Sequence, residues 1–178
     1  MMLQDAGRKA KNGSREKHNG KEGAAMYPCH IFNMPDPAKA YEDFRGELVK
    51  DYGDCVSRRD GRVLHWNYMW DDGYRSLVRC RECGGLVLMQ SSEYHSFSDA
   101  PDGYYRDWIP VATEEEADLL NVLLDAGEFE RHPHRRFSRT NGDCHLFGTD
   151  GLKPCDPEEL KKQILKKYGL SSLDEVKM

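Results

Sequence analysis

The residues with the clearest chemical potential are two cysteines separated by two residues. Cys80 and Cys83 belong to the run CRECGG at positions 80–85. Thiolates are soft, negatively charged ligands that suit zinc, and this spacing can bring both sulfur atoms to one tetrahedral centre. The two glycines that follow allow the backbone to turn with positive φ beneath a metal ion. The run therefore predicts half of a zinc site.

The segments on either side of this run indicate where it lies in the fold. Tyr74–Arg79 and Leu86–Gln90 have the composition of strands, so the cysteines are expected at the tip of a hairpin. The arrangement resembles one knuckle of a zinc ribbon, although the second Cys-x-x-Cys of a ribbon is absent. A thioredoxin-like redox pair would instead lie between a strand and a helix. Zinc is therefore favoured over a redox pair and over two inert cysteines.

His65 is the first candidate for completing this site. A tight turn at positions 71–73 would pair the strand Arg62–Trp70 with the strand that leads to the cysteines. In that pairing His65 lies opposite Arg79, next to the turn. His65 is therefore predicted as a ligand, although a partly buried strand histidine with no metal has the same pattern.

Cys55 is the second candidate, because only a short loop separates it from the strand that carries His65. The predicted ligand set is Cys55, His65, Cys80 and Cys83. Two pairs, Cys29-His30 and Cys144-His145, can replace Cys55 or His65 if a tail or loop folds back. His95 is disfavoured, since it lies at the far end of the third strand. A further alternative is a second site, with candidate ligands Cys144, Cys155, His132, His134 and His145.

The ligand types also indicate what the metal does. Four protein ligands close a zinc site, whereas a catalytic site keeps an open position. Cysteine-rich ligation favours the closed type, and the chain has neither a His-Glu-x-x-His motif nor a zinc-deaminase pattern. The expected cofactor is therefore structural Zn²⁺, which would stabilise a small, polar domain.

Composition limits the partners. The net charge of −5 and the pI near 5.8 give no overall attraction to nucleic acids or anionic membranes. No apolar run approaches the roughly 20 residues of a membrane helix. No apolar stretch typical of a secretory signal follows the first methionine, so we do not expect such a signal. We expect a cytoplasmic protein with reduced cysteines and no membrane contact. The aromatic, charged stretch at 94–108 suggests another protein as the partner.

One concentrated basic segment stands apart from this acidic balance. Its arginines, with two histidines and a phenylalanine among them, are suited to contacting phosphates and stacking on a base. The arginines are Arg131, Arg135, Arg136 and Arg139. A solvated loop that pairs with the protein's own carboxylates is the favoured alternative interpretation.

Three functional hypotheses follow. The first is a small bacterial zinc protein that binds or regulates another protein without catalysis. The second is a nucleic-acid-binding zinc protein that uses the segment Arg131–Arg139. The third is a metal-dependent hydrolase or nuclease that uses the histidines near positions 132–145.

The N-terminal stretch differs from the rest of the chain. Residues 1–25 contain few apolar side chains and are expected to form a disordered tail. Alternatively, translation starts at Met26, since Lys21-Glu22-Gly23 can be encoded by a purine run that resembles a bacterial ribosome-binding site. Residues 26–178 are expected to form a single zinc-stabilised α+β domain.

Capping residues and periodicity predict the elements around the site. Helices are expected at Pro37–Tyr52, Glu114–Ala126 and Pro157–Tyr168. Strands are expected at Arg62–Trp70, Tyr74–Arg79 and Leu86–Gln90. Positions 96–108 and 128–156 read as loops, with a short strand near Arg136–Ser138 or His145–Phe147. The predicted fold is α+β, a three-stranded antiparallel meander with a zinc-knuckle turn, packed by about three helices.

Overall fold

A computed structural model describes residues 29–54, 56–59, 62–65, 72–94, 102–147 and 153–175. The helices are α1 (Pro37–Asp43), α2 (Glu114–Leu123), α3 (Ala126–Glu130) and α4 (Pro157–Tyr168), with 3-10 turns at His30–Asn33 and Leu173–Glu175. The strands are β1 (Gly46–Asp54), β2 (Val56–Arg59), β3 (Arg62–His65), β4 (Asp72–Cys80), β5 (Leu86–Tyr94), β6 (Gly103–Val111), β7 (Phe137–Thr140) and β8 (Asp143–Leu146).

Six of these strands form one antiparallel sheet in the order β1-β4-β5-β6-β7-β8, and β2 and β3 form a separate two-stranded sheet. The fold is α+β, but the predicted three-stranded meander packed by about three helices is wrong. The described part of the chain has a sheet twice that wide and four α-helices. The prediction missed β1 and β6, which flank the β4–β5 hairpin.

The first predicted helix, Pro37–Tyr52, is correct only at its start. Asp36 caps α1 by accepting hydrogen bonds from the two backbone N–H groups of Ala38 and Lys39, but α1 ends at Asp43 and β1 follows. A Cβ atom on Gly46 would lie 2.2 Å from a methyl carbon of Val78, so this close strand contact requires glycine. The apolar spacing was misleading because β1 is an edge strand with two register shifts, and Leu48 is 61% exposed.

The predicted pairing of His65 with Arg79 is also wrong. Arg79 pairs with Glu47 of β1 on one side and with Leu86 of β5 on the other, so both edges of β4 are occupied. β3 pairs instead with β2, where His65 lies opposite Val56. The rest of the predicted strand, including Trp66 and Trp70, lies outside the described residues, as does Asp71 of the predicted turn. The other two turn positions, Asp72 and Gly73, belong to β4.

The predicted loop at 96–108 contains most of a central strand. β6 pairs with β5 along its whole length and with β7 from Tyr105 to Trp108. Its last five residues, from Asp107 to Val111, are all buried. A strand that is buried on both faces has no alternation of polar and apolar residues, so its sequence carries little strand signal. Pro110 lies beyond the end of the β7 pairing, where it interrupts no ladder on that side.

The helices after β6 match the prediction more closely. α4 has its predicted bounds, with Asp156 as its cap and Gly169 in the left-handed conformation at its end. Thr113 caps α2 as expected, by accepting from the Glu116 N–H at 3.1 Å. However, α2 stops at Leu123, because Asp125 and Glu128 form a new capping box that begins α3. Positions 128–156, predicted as mostly irregular, also contain β7 and β8.

The sheet buries a different apolar cluster on each face. On one face Leu88 and Ile109 pack with the core sides of α2 and α4, including Leu120 and Ile164. On the other face Val87 belongs to a second cluster, which contains an aromatic stack and side chains of the N-terminal segment. Its buried members are Cys29, Ile31, Phe32, Ala40, Cys80, Val87, Trp108 and Phe137. The molecule is therefore layered, with α2, α3 and α4 on one side of the sheet and residues 29–44, which include α1, on the other.

A buried arginine joins the sheet to the helical layer. Arg75 of β4 is 1% exposed and donates to Gln90 Oε1 at 2.7 and 3.0 Å. Its guanidinium also donates to the carbonyls of Asn121 and Leu124 at 3.1 and 2.6 Å and lies 4.8 Å from the centre of the Phe129 ring. These carbonyls are at the negative C-terminal end of α2, where a cation is favourable.

Replacing this arginine should therefore be costly. We expect Arg75→Ala to lower the free energy of unfolding by about 3 kcal/mol or more, because it leaves buried carbonyls without donors. Urea denaturation followed by circular dichroism measures the loss. Arg79→Ala, in the same strand but in an exposed pair with Glu114, is the control and should cost less than about 1 kcal/mol. Similar losses in the two variants would contradict this role of Arg75.

Candidate metal centre

The structure brings four potential metal ligands together at one end of the sheet. Cys29, His30, Cys80 and Cys83 each offer one ligand atom, and all four atoms lie within 4.8 Å of one another. Cys29 and Cys80 are fully or almost fully buried, His30 is partly buried and Cys83 is exposed. The four residues are therefore close enough to hold a metal ion at the boundary between the core and solvent.

The β4–β5 hairpin positions the two cysteines that sequence spacing singled out. The N–H of Cys80 donates to the carbonyl of Gly85 at 2.9 Å, and the N–H of Gly84 donates to the carbonyl of Cys80 at 2.9 Å. Gly84 has φ 74°, a left-handed conformation that glycine adopts without strain. These contacts close the turn so that Cys80 and Cys83 face the same point.

The other two ligands come from the N-terminal segment. Ile31 and Phe32, which directly follow them, are 0% and 5% exposed and anchor the 3-10 turn in the aromatic cluster. A second tie is the hydrogen bond from the Arg81 N–H to the carbonyl of Arg45 at 2.8 Å, which joins the hairpin to the start of β1. Burial of the apolar pair thus holds Cys29 and His30 over the cysteine turn.

The distances suit tetrahedral coordination. Zinc–sulfur and zinc–nitrogen bonds of about 2.3 and 2.0–2.1 Å place a sulfur and a nitrogen ligand about 3.5 Å apart at a tetrahedral centre. The Sγ atom of Cys80 lies 3.8 Å from Nδ1 of His30. This pair is therefore close to the separation that a shared tetrahedral ion requires.

The second nitrogen of His30 has its own partner. Nε2 of His30 lies 3.0 Å from a carboxylate oxygen of Glu82, within the cysteine turn. A histidine that binds a metal through one ring nitrogen commonly donates from the other to a carboxylate, which orients the ring and raises its basicity. Glu82 is therefore placed to orient the His30 ring with Nδ1 towards the thiols of the cluster.

The thiols differ in how readily they lose a proton. Burial alone would raise the pKa of Cys83, but hydrogen bonds with the side chain and backbone of His30 and with the backbone of Gly85 lower it to about 6. Burial raises the pKa of Cys29 well above its usual range, and the neighbouring Cys80 and Cys83 raise it further. One thiolate is therefore available near neutral pH, while the buried cysteine needs a metal ion to stabilise its charge.

The predicted ligands can now be compared with these positions. Cys80 and Cys83 belong to the cluster, joined by Cys29-His30, which the sequence suggested only as a replacement pair. Cys55 lies outside the described residues, and of His65 only the backbone in β3 is described. The missed signal was the order Cys-His-Ile-Phe at positions 29–32, in which two ligand types precede an apolar anchor.

The alternative ligands are dispersed. Cys144 lies in β8 and packs at the edge of the aromatic cluster, while Cys155 precedes α4 and joins His134 and Glu116 in a second group. The suggested second site therefore gains Glu116, which the sequence did not indicate. It does not include Cys144. His95 lies outside the described residues.

The basic segment is largely committed to internal contacts. Arg135 donates to the buried carboxylate of Asp107 at 3.0 Å, and Arg136 is 4% exposed and donates to the carbonyl of Pro133 at 2.8 Å. Arg139 lies over the Tyr41 ring at 4.4 Å, whereas Arg131 is exposed. These contacts favour the interpretation that the segment pairs with the protein's own groups.

Comparison with known proteins adds no family. No family model, curated protein or solved structure matches the chain. Within the described ranges, none of the helices has the length and apolar composition needed to cross a membrane. The geometry of the side chains is therefore the basis for any functional proposal.

The role of Glu82 leads to a specific expectation. We expect Glu82→Gln to weaken zinc binding about tenfold or more, because a neutral amide orients and polarises His30 less well. Competition with a chromophoric chelator measures the affinity. Arg81→Gln, in the same turn, is the control and should bind zinc no more weakly than the wild type. Unchanged affinity in Glu82→Gln would exclude the positioning role.

Proposed function

We propose that this protein binds one structural zinc ion through Cys29, His30, Cys80 and Cys83. The observation that supports this most directly is the meeting of four ligand atoms within 4.8 Å from two separate parts of the chain. Three sulfurs and one imidazole nitrogen form a common donor set of structural zinc sites. Four protein ligands leave no open position for a substrate, so the proposed ion stabilises the fold.

The zinc ion would fasten the N-terminal layer to the sheet. Cys29 and His30 belong to a segment whose described part buries few apolar side chains, and Cys80 and Cys83 belong to the central hairpin. A metal ion shared by both binds the folded state and not the unfolded chain, so its binding energy contributes to folding. A reducing compartment such as the cytoplasm suits this site, because disulfide formation would remove the thiol ligands.

We propose further that the protein acts by binding another protein. The N-terminal layer covers the hairpin end of its sheet face, and a cavity of about 650 Å³ lies at the other end, lined by aromatic and charged side chains. Tyr74 and Tyr104 in this cavity are 51% and 57% exposed. Tyrosine and arginine are enriched in protein interfaces, and Arg106 and Arg139 also line the cavity.

Nucleic-acid binding through the segment Arg131–Arg139 has less support. Binding to phosphates needs accessible cations, whereas Arg135 and Arg136 are already used within the fold. The segment lies in an acidic chain with a net charge of −5. We therefore favour protein binding through the cavity lined by Tyr74 and Tyr104 over nucleic-acid binding through the segment Arg131–Arg139.

Metal analysis tests the zinc site. We expect purified wild-type protein to contain a tightly bound zinc ion at this site and the Cys83→Ser variant to lack it. We also expect removal of the ion by a chelator to lower the melting temperature. Emission spectrometry measures the metal content, and circular dichroism measures the melting. Cys144→Ser, which removes a partly exposed cysteine outside the cluster, is the matched control and should retain zinc. Equal zinc content in Cys83→Ser and wild type, or none in reduced wild type, would refute the site.

The partner surface has its own test. We expect the double variant Tyr74→Ser/Tyr104→Ser to reduce recovery of a specific partner from source cells by about tenfold or more, since interface tyrosines contribute strongly to affinity. Quantitative mass spectrometry of the captured proteins provides the measurement. Leu48→Ser, an equally exposed change at the hairpin end of β1, is the control. A partner lost equally from both variants would place the interface elsewhere.

A further inference from the structure

A second group of metal-ligating side chains lies on the helical side of the sheet. Glu116 of α2, His134 in the loop after α3 and Cys155 before α4 each offer one ligand atom, and these atoms lie within 4.8 Å of one another. None of the three belongs to the cluster around Cys80. The two groups can therefore be tested independently.

The separation of the sulfur and nitrogen atoms suits a shared metal ion. Sγ of Cys155 lies 3.6 Å from Nδ1 of His134. A tetrahedral zinc ion would hold these two ligand atoms about 3.5 Å apart. The Cys155 thiol also hydrogen-bonds to the carboxylate of Glu116, so all three ligand groups already meet at one point.

Among the three side chains of this group, the carboxylate of Glu116 is unusual because it is almost fully buried. Glu116 is 2% exposed, and its two oxygens accept from the N–H groups of Ala112 and Cys155, both at 2.7 Å. Within the described ranges, no ion pair joins it to a lysine or arginine. Buried charges are usually paired or bound to metals, and an ionised carboxylate has further lone pairs after two hydrogen bonds. A cation beside Glu116 would balance this buried charge.

The loop around His134 holds its imidazole beside Cys155. The N–H of His134 donates to Nδ1 of His132 at 3.2 Å, and the two rings meet edge to face at 5.3 Å. These contacts position the loop that brings Nδ1 of His134 to Sγ of Cys155.

The group also has access to solvent. A cavity of about 590 Å³ is lined by His132, His134, Cys155, Asp156 and Glu159, among other residues. Glu116 is almost fully buried and is not part of this lining, so the cavity gives access to the group at His134 and Cys155. An ion held by the three side chains would have three protein ligands and one side that faces the cavity.

We propose that Glu116, His134 and Cys155 form a second site for a divalent metal ion of the zinc class, with one coordination position open to this cavity. Three protein ligands from nitrogen, sulfur and oxygen donors, plus one free position, characterise catalytic rather than structural zinc sites. The free position would hold a water molecule or a small anion. This site goes beyond the proposed structural zinc and does not depend on it.

Cobalt titration of the whole reduced protein provides the test, because Co²⁺ replaces Zn²⁺ and reports its ligands through visible and thiolate charge-transfer bands. We expect the wild-type chain to bind one Co²⁺ ion at this site, in addition to any ion held by the group around Cys80. His134→Ala and Cys155→Ser should each bind one ion fewer than the wild type, whereas His132→Ala, which removes a neighbouring imidazole, should bind as many as the wild type. Azide should change the spectrum of the second ion only, because only that ion has an open position.

The competing explanation is a purely structural group, in which Glu116 caps backbone N–H groups and the thiol hydrogen-bonds to His134. A Co²⁺ count that neither His134→Ala nor Cys155→Ser lowers relative to the wild type would overturn the proposal, whether or not the group around Cys80 binds an ion. If a variant does not fold by circular dichroism, anomalous X-ray diffraction at the zinc edge from zinc-soaked wild-type crystals decides. A peak between Glu116, His134 and Cys155 supports the site, and no peak there refutes it.

Discussion

The central strands carry apolar side chains on both faces of the sheet. The rest of the structure follows from the need to cover both faces. Leu88 and Val87 are adjacent in β5, are both fully buried and belong to different clusters. Buried apolar area is the main source of folding energy, so each cluster needs a covering layer. α2 and α4 provide one layer and the N-terminal segment provides the other.

The two layers are held in different ways. The helical layer packs a large apolar surface against the sheet. It also makes polar contacts: Arg75 of β4 donates to the Leu124 carbonyl at the end of α2, and the Tyr168 hydroxyl donates to the Val122 carbonyl at 2.8 Å. The described N-terminal layer has only a 3-10 turn and a seven-residue helix. A layer this small has little area to bury, and for this reason we place the proposed structural zinc at its junction with the hairpin.

The two metal-ligating groups lie at such junctions but differ in chemistry. The group around Cys80 combines three sulfurs with one imidazole and is continuous with an apolar cluster, which suits a closed structural site. The group around Cys155 has one sulfur and a buried carboxylate and borders a cavity. The first would fasten the fold, while the second has the composition and access that metal-assisted chemistry requires.

Local sequence determined the features that depend on neighbouring residues. The Cys80–Cys83 turn, the cap at Asp156 and the end of α4 at Gly169 follow from short-range geometry, and the structure has them as predicted.

Long-range pairing decided the rest of the fold. β1 resembled a helix because an irregular edge strand can match helical spacing, and β6 resembled a loop because burial on both faces removes alternation. Cys29 and His30 reach the cysteine turn across about fifty residues, and Glu116 reaches Cys155 across about forty. Spacing along a chain cannot specify such meetings, because they depend on which strands pair and which layers pack.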